Sequence, residues 1–268
     1  MSAISDVFDR LKSNGETGFI PFITAGDPDL ETTRALVLEL ARRGSDLIEL
    51  GIPFSDPLAD GPTNQASAQR ALDAGTTLPA IFDCVAEIRK ESDVPMIFMT
   101  YYNPVYRYGL EAFVEKCYAV GVNGALITDL PPEEAETYRN LMSGAGLDTV
   151  FLLAPTSRDE RIKLVTESAT GFVYYVSRAG VTGEQQAVAD TLEPMVERIR
   201  NFTPKPLAVG FGISNPEQSE HVGRHADAVV VGSAIVRRIG EKGGDPDLIQ
   251  QVGDFVADLM RPLKTSRN

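Results

Sequence analysis

Glu49 lies inside an apolar run, flanked by Leu47, Ile48 and Leu50, with Gly51 closing the run before Pro53. A carboxylate buried in a strand is costly unless a partner is supplied or a proton is taken up. Asp60 follows on a proline-rich loop that ends Asp60-Gly61-Pro62 and is long enough to fold back over the strand end. Two carboxylates brought together in this way point to acid/base chemistry. The plainer alternatives are that Glu49 lines a barrel and pairs with an arginine, and that Asp60 only starts a turn. The burial, the pairing and the unusual loop together favour chemistry.

A second constellation is rich in glycine. Gly210-Phe211-Gly212-Ile213-Ser214 and Val231-Gly232-Ser233-Ala234 each end an apolar run just before a helix start. Such turns let backbone N–H groups approach an anion closely, although a tight turn and a plain N-cap at Ser233 would produce the same pattern. Gly180 and Gly183 in the segment RAGVTG form a third flexible stretch. Other chemistries lack their residues. His221 and His225 have no third metal ligand nearby. None of Lys12, Lys90, Lys116, Lys163, Lys205, Lys242 and Lys264 ends a strand-like run, as a Schiff-base lysine would. No Gly-x-Gly-x-x-Gly follows the first strand. The remaining chemistry is carboxylate catalysis on a phosphorylated small molecule, with neither metal nor cofactor expected.

These groups must be positioned by a repeating framework. Strand-like runs fall at 18–24, 47–51, 96–100, 125–129, 149–153, 172–177, 207–211 and 228–231. Helix-like stretches alternate with them at 30–43, 78–90, 110–120, 132–143, 158–168, 192–201, 216–222 and 234–239. Helix-entry signals stand at Pro28-Asp29, Thr77, Pro131-Pro132 with Glu133 and Glu134, Ser157, and Ser214 before Pro216. Eight such units predict an α/β fold, a single (β/α)8 TIM barrel, as one domain over residues 1–268. An extra N-terminal helix precedes it, with Ser5 as its expected N-cap. In such a barrel Glu49 stands near a strand C-terminal end. Loop two, 52 to about 76, and loop six, 178 to about 189, are then the candidate lids or docking surfaces.

A hydrophobic content of 43% is sufficient for a full core. No apolar run approaches the roughly 18 residues of a membrane span, and the N-terminus lacks the pattern of a secretory signal. Cys84 and Cys117 read as buried free thiols in a reducing cytosol. The net charge of −13 disfavours nucleic acid or an anionic membrane as partner. It also requires that a phosphate be captured locally, by amides and a helix N-terminus.

With these residues assembled, the chain resembles the tryptophan synthase alpha chain family over nearly its whole length. The matching segments are FIPFITAGDP (19–28), IELGIPFSDPLADGP (48–62), DLPP (129–132), SRAGVTG (177–183), VGFGISNP (209–216) and VGSAIV (231–236). The resemblance implies retro-aldol cleavage of indole-3-glycerol phosphate to indole and glyceraldehyde 3-phosphate. It implies Glu49 as acid/base, Asp60 as the carboxylate that receives the indole N–H, and Tyr174 as the catalytic-site tyrosine. Tyr175 would point the other way along the strand. Gly183, Gly212, Gly232 and Ser233 are implied as phosphate ligands. Phe22, Met99, Ile127 and Phe211 are candidates for an apolar indole pocket, or ordinary barrel filling.

A partner is also implied: a pyridoxal-phosphate-dependent beta chain in an α2β2 tetramer, docked on loop two around Pro53, Asp56 and Pro57. The cofactor belongs to that partner, so none is expected here. The segment Tyr101-Tyr102-Asn103-Pro104 and the tail after Lys264 carry no readable function. The rival expectations are another phosphate-binding barrel enzyme, and a non-catalytic subunit that only activates a beta chain.

Overall fold

The computed structural model describes residues 2–176, 185–210 and 212–264, with the side chains of 185–191 outside that description. The chain runs α1 (Ala3–Asn14), β1 (Gly18–Thr24), α2 (Leu30–Arg42), β2 (Ile48–Gly51), α3 (Pro62–Asp73), α4 (Leu78–Arg89), β3 (Met96–Thr100), α5 (Tyr102–Tyr108) and α6 (Leu110–Val120). It continues β4 (Gly124–Ile127), α7 (Glu136–Gly144), β5 (Asp148–Leu153), α8 (Asp159–Ser168), β6 (Val173–Val176), α9 (Gln185–Arg200), β7 (Leu207–Gly210), α10 (Pro216–Gly223), β8 (Ala228–Val231), α11 (Ser233–Lys242) and α12 (Leu248–Met260). The strands are parallel and close in chain order, with β1 completing the ring by pairing Gly18–Pro21 with Ala228–Val231 of β8. This is the expected (β/α)8 barrel with its N-terminal helix.

Strand alternation sorts the core into two shells. Outward residues such as Phe19, Ile23, Ile48, Leu50, Phe98, Val173, Tyr175 and Val209 pack under the helices. Inward residues Ile20, Leu47, Ile97, Leu126, Val150, Phe172, Ala208, Ala228 and Val230 fill the barrel. The lower end of that inner shell is closed by α1, whose Ile4, Phe8 and Leu11 pack into it, Phe8 at 5.7 Å from the Phe172 ring. The cap of α1 is Ser2, whose hydroxyl accepts from the Ser5 N–H at 3.2 Å, so Ser5 lies inside the first turn.

Two other expected caps move by one residue. Asn215, not Ser214, caps α10, and α8 starts after Arg158, leaving Ser157 to accept from the Ala154 N–H. Asp29 and Thr77 cap α2 and α4 as expected. Helix α7 begins at Glu136, beyond the Pro131-Pro132 signal, because 132–134 form a turn. Helices α3, α5 and α12 were not anticipated. The first of these occupies much of what the sequence reads as loop two.

Candidate active site

Glu49 is inward-facing on β2, in register with Phe22 on β1 and Ile97 on β3. It is 1% exposed, and neither carboxylate oxygen has a hydrogen-bond partner among the described residues. No described arginine pairs with it, as the plainer reading would require. Burial, and secondarily the charge of Asp60, push its pKa up to about 8, so at neutral pH the group holds a proton. Gly51, next inward on the same strand, is required by close approach. A Cβ there would lie 2.7 Å from the ring of Phe22.

Asp60 is brought to the mouth by the loop after β2 and stands just before Gly61, the N-cap of α3. Its pKa is also raised: burial is the main cause, opposed by two donors. The Tyr101 hydroxyl donates to Asp60 Oδ2 at 2.8 Å, and Asn64 Nδ2 points at Oδ1 from 3.5 Å. Tyr101 follows β3 in a segment whose sequence carries no readable function; its contact with Asp60 makes it part of the site. No pattern in YYNP announces this, because the contact depends on how loop two folds against the end of β3. Helix α3 is itself pinned to β1. Ser67 donates to the Asn64 carbonyl at 2.8 Å and meets Thr24 Oγ1 at 2.7 Å.

Tyr174 faces the barrel interior and Tyr175 packs in the outer shell, as strand alternation requires. Burial, then Glu49 and Asp60, raise the Tyr174 phenol well above its ordinary range. The phenol stays protonated and lies within the electrostatic reach of both carboxyl groups. Phe22 and Met99 line a small cavity of about 20 Å³ with Thr24, Asp60, Asn64 and Tyr101, room for about one water. Ile127 is a correction. It packs in the outer shell, and Leu126 takes the inward position on β4. Leu126 pairs with the inward Met99 of β3 and Ile127 with Thr100, so the inward phase of β4 differs by one residue from the expected assignment.

Of the phosphate candidates, Gly212 follows β7 with φ 64°, a left-handed conformation suited to glycine. Gly232 caps α11 and Ser233 is its first residue, so the free amides of that first turn face the same end of the barrel. Gly183 and Phe211 lie outside the described residues. His221 of α10 and His225 just beyond it meet edge to face at 5.6 Å, and among the described residues no group of three or more His, Cys, Asp or Glu gathers to hold a metal. Cys84 and Cys117 are buried free thiols. A wide groove of about 1150 Å³ opens at the opposite barrel end, lined in part by Arg10, Asp46 and Lys264. Arg10 and Lys264 both reach the buried Asp46, at 2.7 and 2.6 Å.

The sequence profile of the tryptophan synthase alpha chain family matches residues 8–262. The chain belongs to that family. A tryptophan synthase alpha chain from Geotalea uraniireducens is 52% identical over 264 residues, covering 98% of each chain. Among solved structures, tryptophan synthase subunit alpha from Legionella pneumophila superposes with a TM-score of 0.91 at 34% identity, covering 98% of both chains. A chain of the tryptophan synthase α2β2 complex from Pyrococcus furiosus, described as mutually activating, gives 0.85 at 41% identity over 92% of this chain and 98% of that one. Glu49, Asp60 and Tyr101 gather at the barrel mouth formed by strand C-terminal ends. No helix among the described residues is long and apolar enough to cross a membrane.

Proposed function

We propose that this chain cleaves indole-3-glycerol phosphate to indole and glyceraldehyde 3-phosphate, using Glu49 as a single group that gives and then takes one proton. The observation that carries the reading is the fully buried carboxyl of Glu49, unpartnered among the described residues and within reach of the charge of Asp60. Resting protonated, Glu49 donates to carbon 3 of the indole ring, which becomes tetrahedral and places a positive charge on the ring nitrogen. Asp60 accepts the ring N–H and stabilises that charge. The newly formed Glu49 carboxylate removes the proton from the hydroxyl on the attached side-chain carbon. A carbonyl forms there, the carbon–carbon bond breaks, and its electron pair returns to the ring. Glu49 ends protonated, as it began, and the product pair carries all the atoms.

Tyr174 supplies a phenol donor within the same pocket, and Phe22, Met99 and Leu126 supply the apolar wall. Gly183, Gly212, Gly232 and Ser233 remain the proposed phosphate ligands, with backbone amides providing attraction that the net charge of −13 does not. The proposed partner is a beta chain, and loop two is the proposed docking surface. Leu58 there, just after Asp56 and Pro57, is 88% exposed. Docking would set loop two and thereby turnover.

The decisive assay is indole release from indole-3-glycerol phosphate, with and without a tryptophan synthase beta chain. Slow release accelerated by the partner is expected. Glu49→Gln should lower kcat by about 10²- to 10⁴-fold with little effect on phosphate affinity. Absence of indole in both conditions, with the beta chain still activated, would instead make this a binding subunit.

A further inference from the structure

Tyr101 sits where three segments meet. From the end of β3 its hydroxyl donates to Asp60 Oδ2 at 2.8 Å and accepts the Ala59 backbone N–H at 3.0 Å. Its ring packs at 5.3 Å against Phe54. Phe54, Ala59 and Asp60 all belong to the loop between β2 and α3, so one side chain grips that loop near its start and at its end. We propose that Tyr101 is a positioning residue that ties the seating of this loop to the orientation of Asp60. The inference rests on the reaction proposed above and adds the route by which anything that moves the loop reaches the chemistry.

The physical argument is directional. A hydroxyl that accepts the loop amide has its own proton free to point at the carboxylate. If the loop lifts, Phe54 and Ala59 leave together, and the phenol loses both its packing and the donor that fixes its orientation. Among the described residues, Asp60 then keeps only the long contact from Asn64 on α3, at 3.5 Å. Among the described residues, the titratable groups facing Asp60 are Glu49 from β2, Tyr174 from β6 and Tyr101 itself; Asn64 carries no charge. Thr128, after β4, lies beside the Tyr101 hydroxyl and is neutral. Donation from Tyr101 favours the ionised form of Asp60, so its loss must raise the pH at which Asp60 ionises.

The test uses Tyr101→Phe, which keeps the ring against Phe54, in the complex with a beta chain. Indole release by the unmodified chain is measured first; its absence removes the reaction, not the coupling. With turnover established, Tyr101→Phe is expected to lower kcat about 10- to 100-fold with KM nearly unchanged. The acid limb of the kcat/KM profile should move to higher pH, and the Asp60 carboxyl carbon, followed by NMR in the free chain, should titrate at higher pH to match. In an Asp60→Asn background the same substitution should cost no further activity. Phe54→Leu, which leaves the hydroxyl in place but loosens the loop, should move the acid limb the same way by a smaller amount. An acid limb and an Asp60 titration that stay in place, or an equal fold-loss in the Asp60→Asn background, would overturn the proposal, because a merely structural tyrosine predicts both.

Discussion

Glu49 holds its proton at a cost to the fold, and the sign of that cost is measurable. Its folded pKa of about 8 lies above the ordinary carboxylate value of 4.5, so between those values the folded state binds a proton that the unfolded state releases. Stability therefore falls as pH rises from 4.5 toward 8. Glu49→Gln cannot ionise, and relative to the parent it should be nearly neutral at pH 4.5 and stabilised by a few kcal/mol at pH 8, at about 1.4 kcal/mol per pKa unit. Urea denaturation of both proteins at the two pH values checks this; an unchanged difference would mean that Glu49 is ionised in the fold. Glu49 and Asp60 were legible in the sequence because a charge inside an apolar run breaks a pattern. Tyr101 was not, since an aromatic at a strand end breaks none. Ile127 was misplaced because a one-residue error in strand phase exchanges the inner and outer faces.

At the scale of elements, all eight strands and the barrel closure could be read from the alternation of short apolar runs with amphipathic stretches. The missed helices have separate reasons. Helix α3 buries little beyond Ser67, Ala68 and Ala71, small residues that leave no strong apolar period. Helix α5 spans only seven residues, too few to display one. Helix α12 is plainly amphipathic, with Val252, Val256 and Leu259 buried, but it follows α11 with no strand between and so falls outside the repeating unit. Helix α1 contributes through its plug rather than its propensity. Phe8→Ala should destabilise the chain by about 3 kcal/mol or more, because the ring is buried against Phe172 and the vacated space lies inside a rigid barrel. A loss below about 1 kcal/mol in chemical denaturation would show that α1 only rests against the barrel end.

At the scale of the whole molecule, charge opposes the proposed substrate. A chain of net charge −13 repels a phosphate ester at long range, while the amides at the starts of the loops after β7 and β8 act only at contact. Salt screens the first and barely touches the second. Raising ionic strength from about 10 mM, where the Debye length is about 30 Å, to about 150 mM, where it is about 8 Å, should lower KM for indole-3-glycerol phosphate and leave kcat in place. A KM that rises over the same range would place a long-range cationic attraction at the site.

The pairing of β1 with β8 joins residues 18–21 to residues 228–231, so the barrel's seam spans almost the entire chain. During synthesis the first helix emerges early with Ile4, Phe8 and Leu11 on one face, yet the floor that buries them is completed only when the eighth strand arrives. Until then the ribosome-bound chain carries two open sheet edges and an unhoused apolar helix, the features that invite aggregation. The stretch of synthesis before β8 emerges is therefore the interval in which this protein most depends on being shielded, and a chain released before residue 231 has no closed barrel to adopt.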